Sequence, residues 1–188
     1  MDEPFVHIVD SDINHTQLEK EIYQLINDFD LHDQDQISLT SLDGNNNWTS
    51  SIGKIFDLPH PERHFAEVNT GIKNTLIETY IKKFSKFYRW RLLKIKGKQT
   101  YSVHVDGHSN QSNLRVHIPV VTNKDCYLCF YDNYPQHSIS NLVKHYHLET
   151  GYAYEVNTTG FHTAVNYGNT DRYHIVGVRY ENSNNRSH

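Results

Sequence analysis

His104-Val105-Asp106 stands 58 residues before His162, and Arg172 follows ten residues after that. Two imidazoles and one carboxylate are the donor set of a non-haem Fe(II) centre, which keeps positions open for a co-substrate and O₂. An arginine beyond the second histidine can clamp a carboxylate of that co-substrate with its planar fork. The alternation in Tyr101-Ser-Val-His-Val-Asp106 predicts a strand end. It puts His104 and Asp106 on one face, with Val103 and Val105 on the other. The polar stretch Gly107-His-Ser-Asn-Gln-Ser-Asn113 would then cover the open side of the metal. The competing reading of this segment is a surface His/Asp pair near a turn.

Two further blocks carry candidate chemistry. In Leu114-Arg-Val-His-Ile-Pro-Val120, Arg115 and His117 share one face of an otherwise apolar strand. A buried arginine needs a partner. That partner is either a carboxylate of a bound ligand or an acidic side chain on a neighbouring strand. The block from Tyr154 to Val176 reads as strand, tight turn, strand, turn, strand. A hairpin at Gly168-Asn169 would bring the strand opened by His162 beside the strand opened by Arg172. Arg172, His174 and Val176 fall on one face of the latter.

The elements that must position these residues differ between the two halves. Asp12 or Asn14 caps a helix running to about Phe29, with Leu18, Ile22, Leu25, Ile26 and Phe29 on its apolar face. Residues 30–63 read as loop with brief strands. A second helix is expected over about 70–85, with Ile72, Leu76, Tyr80, Ile81 and Phe84 inward. Strands are expected at 87–96, 100–106, 114–122, 126–131, 152–157, 161–167 and 172–180. Short strands after a helical start predict an α+β, mainly β chain: an antiparallel sandwich or jelly roll with N-terminal helices packed on one sheet. The 188 residues fit one domain. It would comprise a helix-rich part over 1–86, a β core over about 87–181 and a tail over 182–188.

Composition narrows the function classes. Net charge is −4, which argues against a dedicated binder of nucleic acid or anionic membrane. No run approaches the ~18 apolar residues of a membrane span. The acidic start Met1-Asp2-Glu3-Pro4 does not read as a signal peptide. The expectation is a soluble, cytoplasmic protein. Cys126 and Cys129 form a CxxC, but inside a strand they point to opposite faces and are expected to be buried, inert thiols. Lys82, Lys83, Lys86, Arg89, Arg91, Lys94, Lys96 and Lys98 interleave with aromatics. A solvated face is the expected reading, against single-stranded nucleic-acid binding. His145-Tyr-His147 is a second possible metal pair of cupin type. The glutamate and glycine that a cupin sets around that pair are missing, so a loop near the site mouth is preferred.

The stretch from His104 to about Tyr180 resembles the aspartyl/asparaginyl β-hydroxylase family of Fe(II)/2-oxoglutarate oxygenases. The matching pieces are His104-Val-Asp106, Leu114-Arg-Val-His-Ile-Pro-Val-Val-Thr-Asn123, Glu155-Val-Asn157, His162-Thr-Ala-Val-Asn166 and Asp171-Arg-Tyr-His-Ile-Val176. The resemblance implies a double-stranded β-helix, that is, a jelly roll. It implies Fe(II) on His104, Asp106 and His162, with 2-oxoglutarate as co-substrate and O₂ as oxidant. Arg172 would hold the distal carboxylate, and Arg115 and His117 would stand near the chelating end. The expected activity is hydroxylation of an amino-acid side chain, of Asp/Asn type in a peptide or in a free amino acid. Larger members carry a membrane anchor and a repeat domain, which are not seen here. The segment over about 132–150, rich in His and Tyr, is extra. The alternatives are a non-catalytic jelly-roll binding module and a cupin-type metalloenzyme using His145 and His147.

Overall fold

The computed structural model describes residues 5–53, 61–106, 114–133 and 141–179. The first helix, α1 (His15–Asp28), starts on Asn14, whose side chain accepts from the Gln17 backbone N–H. Asp12 is not the cap. Leu18, Ile22, Leu25 and Ile26 are buried as the spacing predicts. Phe29 falls outside the helix, exposed, with its ring 4.7 Å from that of Trp48. The expected second helix is shorter than 70–85. Thr70–Ile72 is a single 3₁₀ turn, and α2 (Leu76–Lys83) begins only after Thr75, whose side chain accepts from Glu78 N–H. Asn74, at φ 62°, breaks the path between them.

The strands are β1 (Val6–Asp10), β2 (Gln36–Ser38), β3 (Thr40–Ser41), β4 (Glu67–Val68), β5 (Phe87–Ile95), β6 (Gln99–Thr100), β7 (Leu114–Val121), β8 (Cys126–Tyr131), β9 (Leu142–Tyr146), β10 (Ala153–Asn157), β11 (Phe161–Asn166) and β12 (Arg172–Arg179). A six-stranded sheet has the order β1-β10-β7-β12-β5-β2, and a four-stranded sheet the order β6-β11-β8-β9. A short β3-β4 pair completes the set. Pairing is antiparallel throughout.

Strand alternation separates two cores. On one face of the large sheet, Trp90, Leu92, Val116, Ile118, Val120 and Ile175 pack against the apolar faces of α1 and α2. On the other face, Val6, Ile95, Tyr154 and Val156 meet Leu128, Phe130 and Ala164 of the small sheet. Two antiparallel sheets thus close on each other with helices over one outer face. The fold is a double-stranded β-helix.

The Gly168-Asn169 turn is not a hairpin. β11 pairs with β6 and β8, whereas β12 pairs with β5 and β7, so the chain crosses there from the small sheet to the large one. Asn166 holds the crossing by donating from Nδ2 to the carbonyls of Ile95, Lys96 and Thr170. Gly168 fits because a Cβ there would stand 2.3 Å from Asn123 Oδ1.

The segment over 132–150 is also not simply an added loop. Its Leu142–Tyr146 portion is β9, the outer strand of the small sheet, in register with β8. The Gly107–Asn113 cover and the 182–188 tail lie outside the described residues. Among the described residues, no helix is long and apolar enough to cross a membrane.

Candidate metal centre

The expected strand over 100–106 stops at Thr100. Beyond it, only His104 rejoins the ladder, by a two-way backbone pair with His162 (N–H to carbonyl 3.0 and 2.8 Å). Val165 pairs Thr100 and His162 pairs His104, so three residue steps on β11 oppose four on the other chain. One extra residue is a bulge, a device that re-aims side chains. At the bulge the Thr163 hydroxyl donates to the Tyr101 carbonyl at 2.6 Å, a contact across 62 residues of sequence that takes the place of a ladder bond. The bulge leaves both His104 and Asp106 turned toward His162.

His104, Asp106 and His162 each offer a donor atom, and these atoms all lie within 4.8 Å of one another. Asp106 Oδ1 is 3.6 Å from His104 Nε2, and Oδ2 is 3.8 Å from His162 Nε2. Ligands ~2.1 Å from a metal and at right angles stand about 3 Å apart, so small side-chain adjustments close the set on an ion. The histidines are pre-set for it. Nδ1 of His104 lies 2.8 Å from the Ser102 carbonyl, and Nδ1 of His162 lies 2.9 Å from the Gly160 carbonyl. A carbonyl only accepts, so each Nδ1 carries the proton and each Nε2 lone pair faces the cluster. Burial lowers the pKa of His162, despite the nearby Asp106 carboxylate, and so favours the neutral, ligating form. For Asp106, burial works upward. The charges of Arg115, then His162 and His104, outweigh it and hold the carboxyl at about 2. A neutral, neutral and anionic donor set of N₂O type fits a divalent, oxygen-activating metal such as Fe(II).

Arg115 meets an acidic side chain, Asp106 itself, at 3.3 Å from Nε to Oδ2. Of the two partners expected for it, this is the protein carboxylate. His117 is buried one strand position deeper, and its Nδ1 has no hydrogen-bond partner among the described residues. Burial, then the Arg172 charge, pushes its pKa down to about 3. Its ring centroid is 5.9 Å from that of His174.

Arg172 is buried, and among the described residues its guanidinium hydrogen-bonds that same His174, at 3.0 Å and 2.7 Å to the two ring nitrogens. Burial and the Arg172 charge keep His174 well below its ordinary pKa, hence neutral. A neutral imidazole has one acceptor nitrogen, so one hydrogen bond satisfies only part of the fork. Burial brings Arg172 itself down to about 10. Among the described residues, no carboxylate lies within ion-pair reach of Arg172. His117 feels the charges of both Arg172 and Asp106, so the interior runs from the donor cluster past His117 to a buried, uncompensated cation.

The other candidates separate from this site. Cys126 and Cys129 are buried and free. Exposed His145 stands on edge strand β9, and His147 holds its Nδ1 at 2.9 Å from the Cys126 carbonyl. Among the described residues they join no group of metal donors. The basic stretch is not one solvated face. Lys82, Lys83, Lys94 and Lys96 pair with Glu78, Asp10, Asp171 and Asp35. Arg89 turns inward at φ 51° onto buried Glu62, at 2.5 Å. Arg91 also turns inward, on the face that carries the site. The period-two set Arg91, Leu93 and Ile95 was hidden by the surrounding charges. Counting from Leu93 and Ile95 would have put Arg91 on an inner face.

No protein-family model matches the chain, and no curated protein matches it. Solved structures do. AviO1 from Streptomyces viridochromogenes Tue57 superposes with a TM-score of 0.55 at 12% identity, covering 95% of this chain and 90% of that one. The viral collagen prolyl hydroxylase vCPH of Paramecium bursaria Chlorella virus-1 gives 0.51 at 10% identity, covering 96% of each. An oxidoreductase of the 2OG-Fe(II) oxygenase family from Burkholderia pseudomallei gives 0.39 at 16% identity, over 54% of this chain and about half (48%) of that one. The first two likenesses establish the shared fold. The aspartyl/asparaginyl β-hydroxylases, which the sequence resembles, are not among these structures.

Proposed function

We propose that the chain is an Fe(II)/2-oxoglutarate-dependent dioxygenase that hydroxylates an amino-acid side chain, of Asp/Asn type in a peptide or in a free amino acid. The observation that carries this reading is one arrangement: a His104/Asp106/His162 donor cluster and, deeper between the sheets, buried Arg172 with no carboxylate of its own among the described residues. That geometry suits a dicarboxylate chelated at one end and clamped at the other. A neighbour named as a collagen prolyl hydroxylase keeps a peptide substrate within the reading.

His104, Asp106 and His162 would hold the iron, which when bound supplies O₂ activation coupled to decarboxylation of 2-oxoglutarate to succinate and CO₂. The chain's own residues supply order and charge. Arg115 keeps Asp106 ionised and fixes its orientation. The unpartnered Nδ1 of His117 offers a hydrogen bond to the chelating end of the co-substrate. Arg172 would take the distal carboxylate with its fork. The apolar wall of Leu128, Phe130, Tyr154 and Val156 keeps water from the interior. We assign these roles to residues 1–188 acting as one domain.

The test is succinate formation from 2-oxoglutarate under air. It should require Fe(II) and vanish in His104→Ala and His162→Ala. A non-catalytic binding module of the same fold would form no succinate with any metal.

A further inference from the structure

Arg91 is a half-buried cation with an enclosed Nε that the oxygenase reading leaves without a task. It lies on β5 opposite Val176 of β12, and Val176 lies opposite His117 of β7. Directly opposed residues of antiparallel strands share a sheet face. Arg91, Val176 and His117 therefore stand abreast on the face that looks between the sheets. Arg115 projects from the same face one step toward the mouth.

The neighbouring cations are neutralised and Arg91 is not. Arg89 is paired with Glu62, and its Nε and Nη2 donate to the carbonyls of Ser51 and Gly53. Arg115 is paired with Asp106. Among the described residues, Arg91 has one hydrogen bond, from Nη1 to the Gln36 amide oxygen at 3.3 Å, and its Nε is buried with no partner. Among the described residues, no carboxylate reaches it. Three guanidinium groups against two carboxylates leave one positive charge at this wall. Burial, then Arg89 and Arg115, draws the Arg91 pKa down to about 9, with Asp106 and Glu62 opposing. A reciprocal effect is seen at Asp106, whose carboxyl is lowered in part by Arg91, so the two groups share the same interior. An apolar side chain would serve packing better than a half-buried charge with no carboxylate partner.

We propose that Arg91 binds a carboxylate of the primary substrate, at a second anion subsite separate from the Arg172 end of the interior. This rests on the oxygenase reading above and adds to it the chemical class of the substrate: a molecule with a free carboxylate placed beside the C–H bond to be oxidised. The carboxylate belongs to a free amino acid or to an acidic side chain in a peptide.

Binding is measured by calorimetry on protein loaded with Mn(II) and 2-oxoglutarate. The probes are common free L-amino acids, each against its α-amide, and acetyl-Gly-Asp-Gly-amide against its asparagine counterpart. At least one acid should bind at least about tenfold tighter than its amide. Preference among free amino acids would identify an α-carboxylate, and preference for the aspartyl tripeptide a side-chain carboxylate. In Arg91→Gln that preference should collapse while Mn(II) binding persists. In Arg91→Lys, which keeps the charge without the fork, it should survive in part. Equal binding of acid and amide by the wild-type protein, or binding of none of the probes, overturns the proposal whether or not the variants fold. The preceding Mn(II) titration separates the two readings. Absence of Mn(II) binding sinks the metal assignment by itself, and the acid–amide comparison is then made on the protein alone.

Discussion

Arg115 Nε lies 3.3 Å from Asp106 Oδ2, an ion pair that ties the large sheet to the segment carrying two of the three candidate metal ligands. Arg115 comes from β7, whereas His104 is bridged to β11 of the small sheet. One contact thus links sheet packing to ligand geometry. Arg115→Gln should weaken Mn(II) affinity by roughly 10–100-fold, the usual effect of losing a partner that orients a ligand. It should also move the acid limit of Mn(II) binding upward, because the Asp106 carboxyl would no longer be held at about 2. Mn(II) titrations between acid and neutral pH check both effects.

Arg172→Gln separates the clamp from the metal. A lost charge-assisted interaction of ~1.5–3 kcal/mol corresponds to roughly a 10–150-fold rise in the dissociation constant for 2-oxoglutarate. Mn(II) affinity should remain, since among the described residues Arg172 bonds His174 and none of the three metal donors. Calorimetric titration of 2-oxoglutarate into the Mn(II)-loaded protein reads the first quantity, and Mn(II) titration the second.

Stability of the metal-free protein should fall as pH drops below about 6.5, the ordinary histidine value. His117 and His174 are buried neutral, and both have depressed pKa values, that of His117 at about 3. Their unfolded forms take up protons that the folded forms refuse. The contribution is fully present above the unfolded value and is lost as pH falls toward the folded one. Each histidine adds a slope of about 1.4 kcal/mol per pH unit in that window. His117→Gln should flatten the profile by up to one such slope, as read from urea midpoints at pH 7, 6 and 5.

Gly177→Ala should destabilise by about 1–3 kcal/mol, the range for overpacking a filled core. A Cβ at Gly177 would stand 2.9 Å from the Trp90 ring, which is 1% exposed. The glycine faces the bulge between β5 and β12, where the register shifts between Val176 and Val178. Denaturant unfolding measures the loss.

The helices and most strands were legible because burial imposes period: Leu18, Ile22, Leu25 and Ile26 at 3.6, and Val116, Ile118 and Val120 at 2. His104, Asp106 and His162 were legible as a candidate donor set, and the structure brings the three together. What the local pattern hid was set by contacts distant in sequence. The bulge that turns His104 and Asp106 depends on Thr163 capturing the Tyr101 carbonyl. The crossing after β11 depends on Asn166 reaching Ile95 and Lys96. A local reading takes the same Gly168-Asn169 turn for a hairpin. Arg91 was read with its lysine neighbours as solvated, although it shares strand phase with Leu93 and Ile95, and the pairing with β12 puts it inside.

The central claim is tested most directly by anaerobic addition of Fe(II) and then 2-oxoglutarate, followed by visible absorption. A 2-oxoacid chelating Fe(II) through its keto and carboxylate oxygens gives a charge-transfer band that neither component shows alone, and no primary substrate is needed to see it. The account predicts that the band saturates at one Fe(II) per chain in the wild type and is lost in Asp106→Ala and His162→Ala. No band in the wild type, or an undiminished band in both variants, would contradict it.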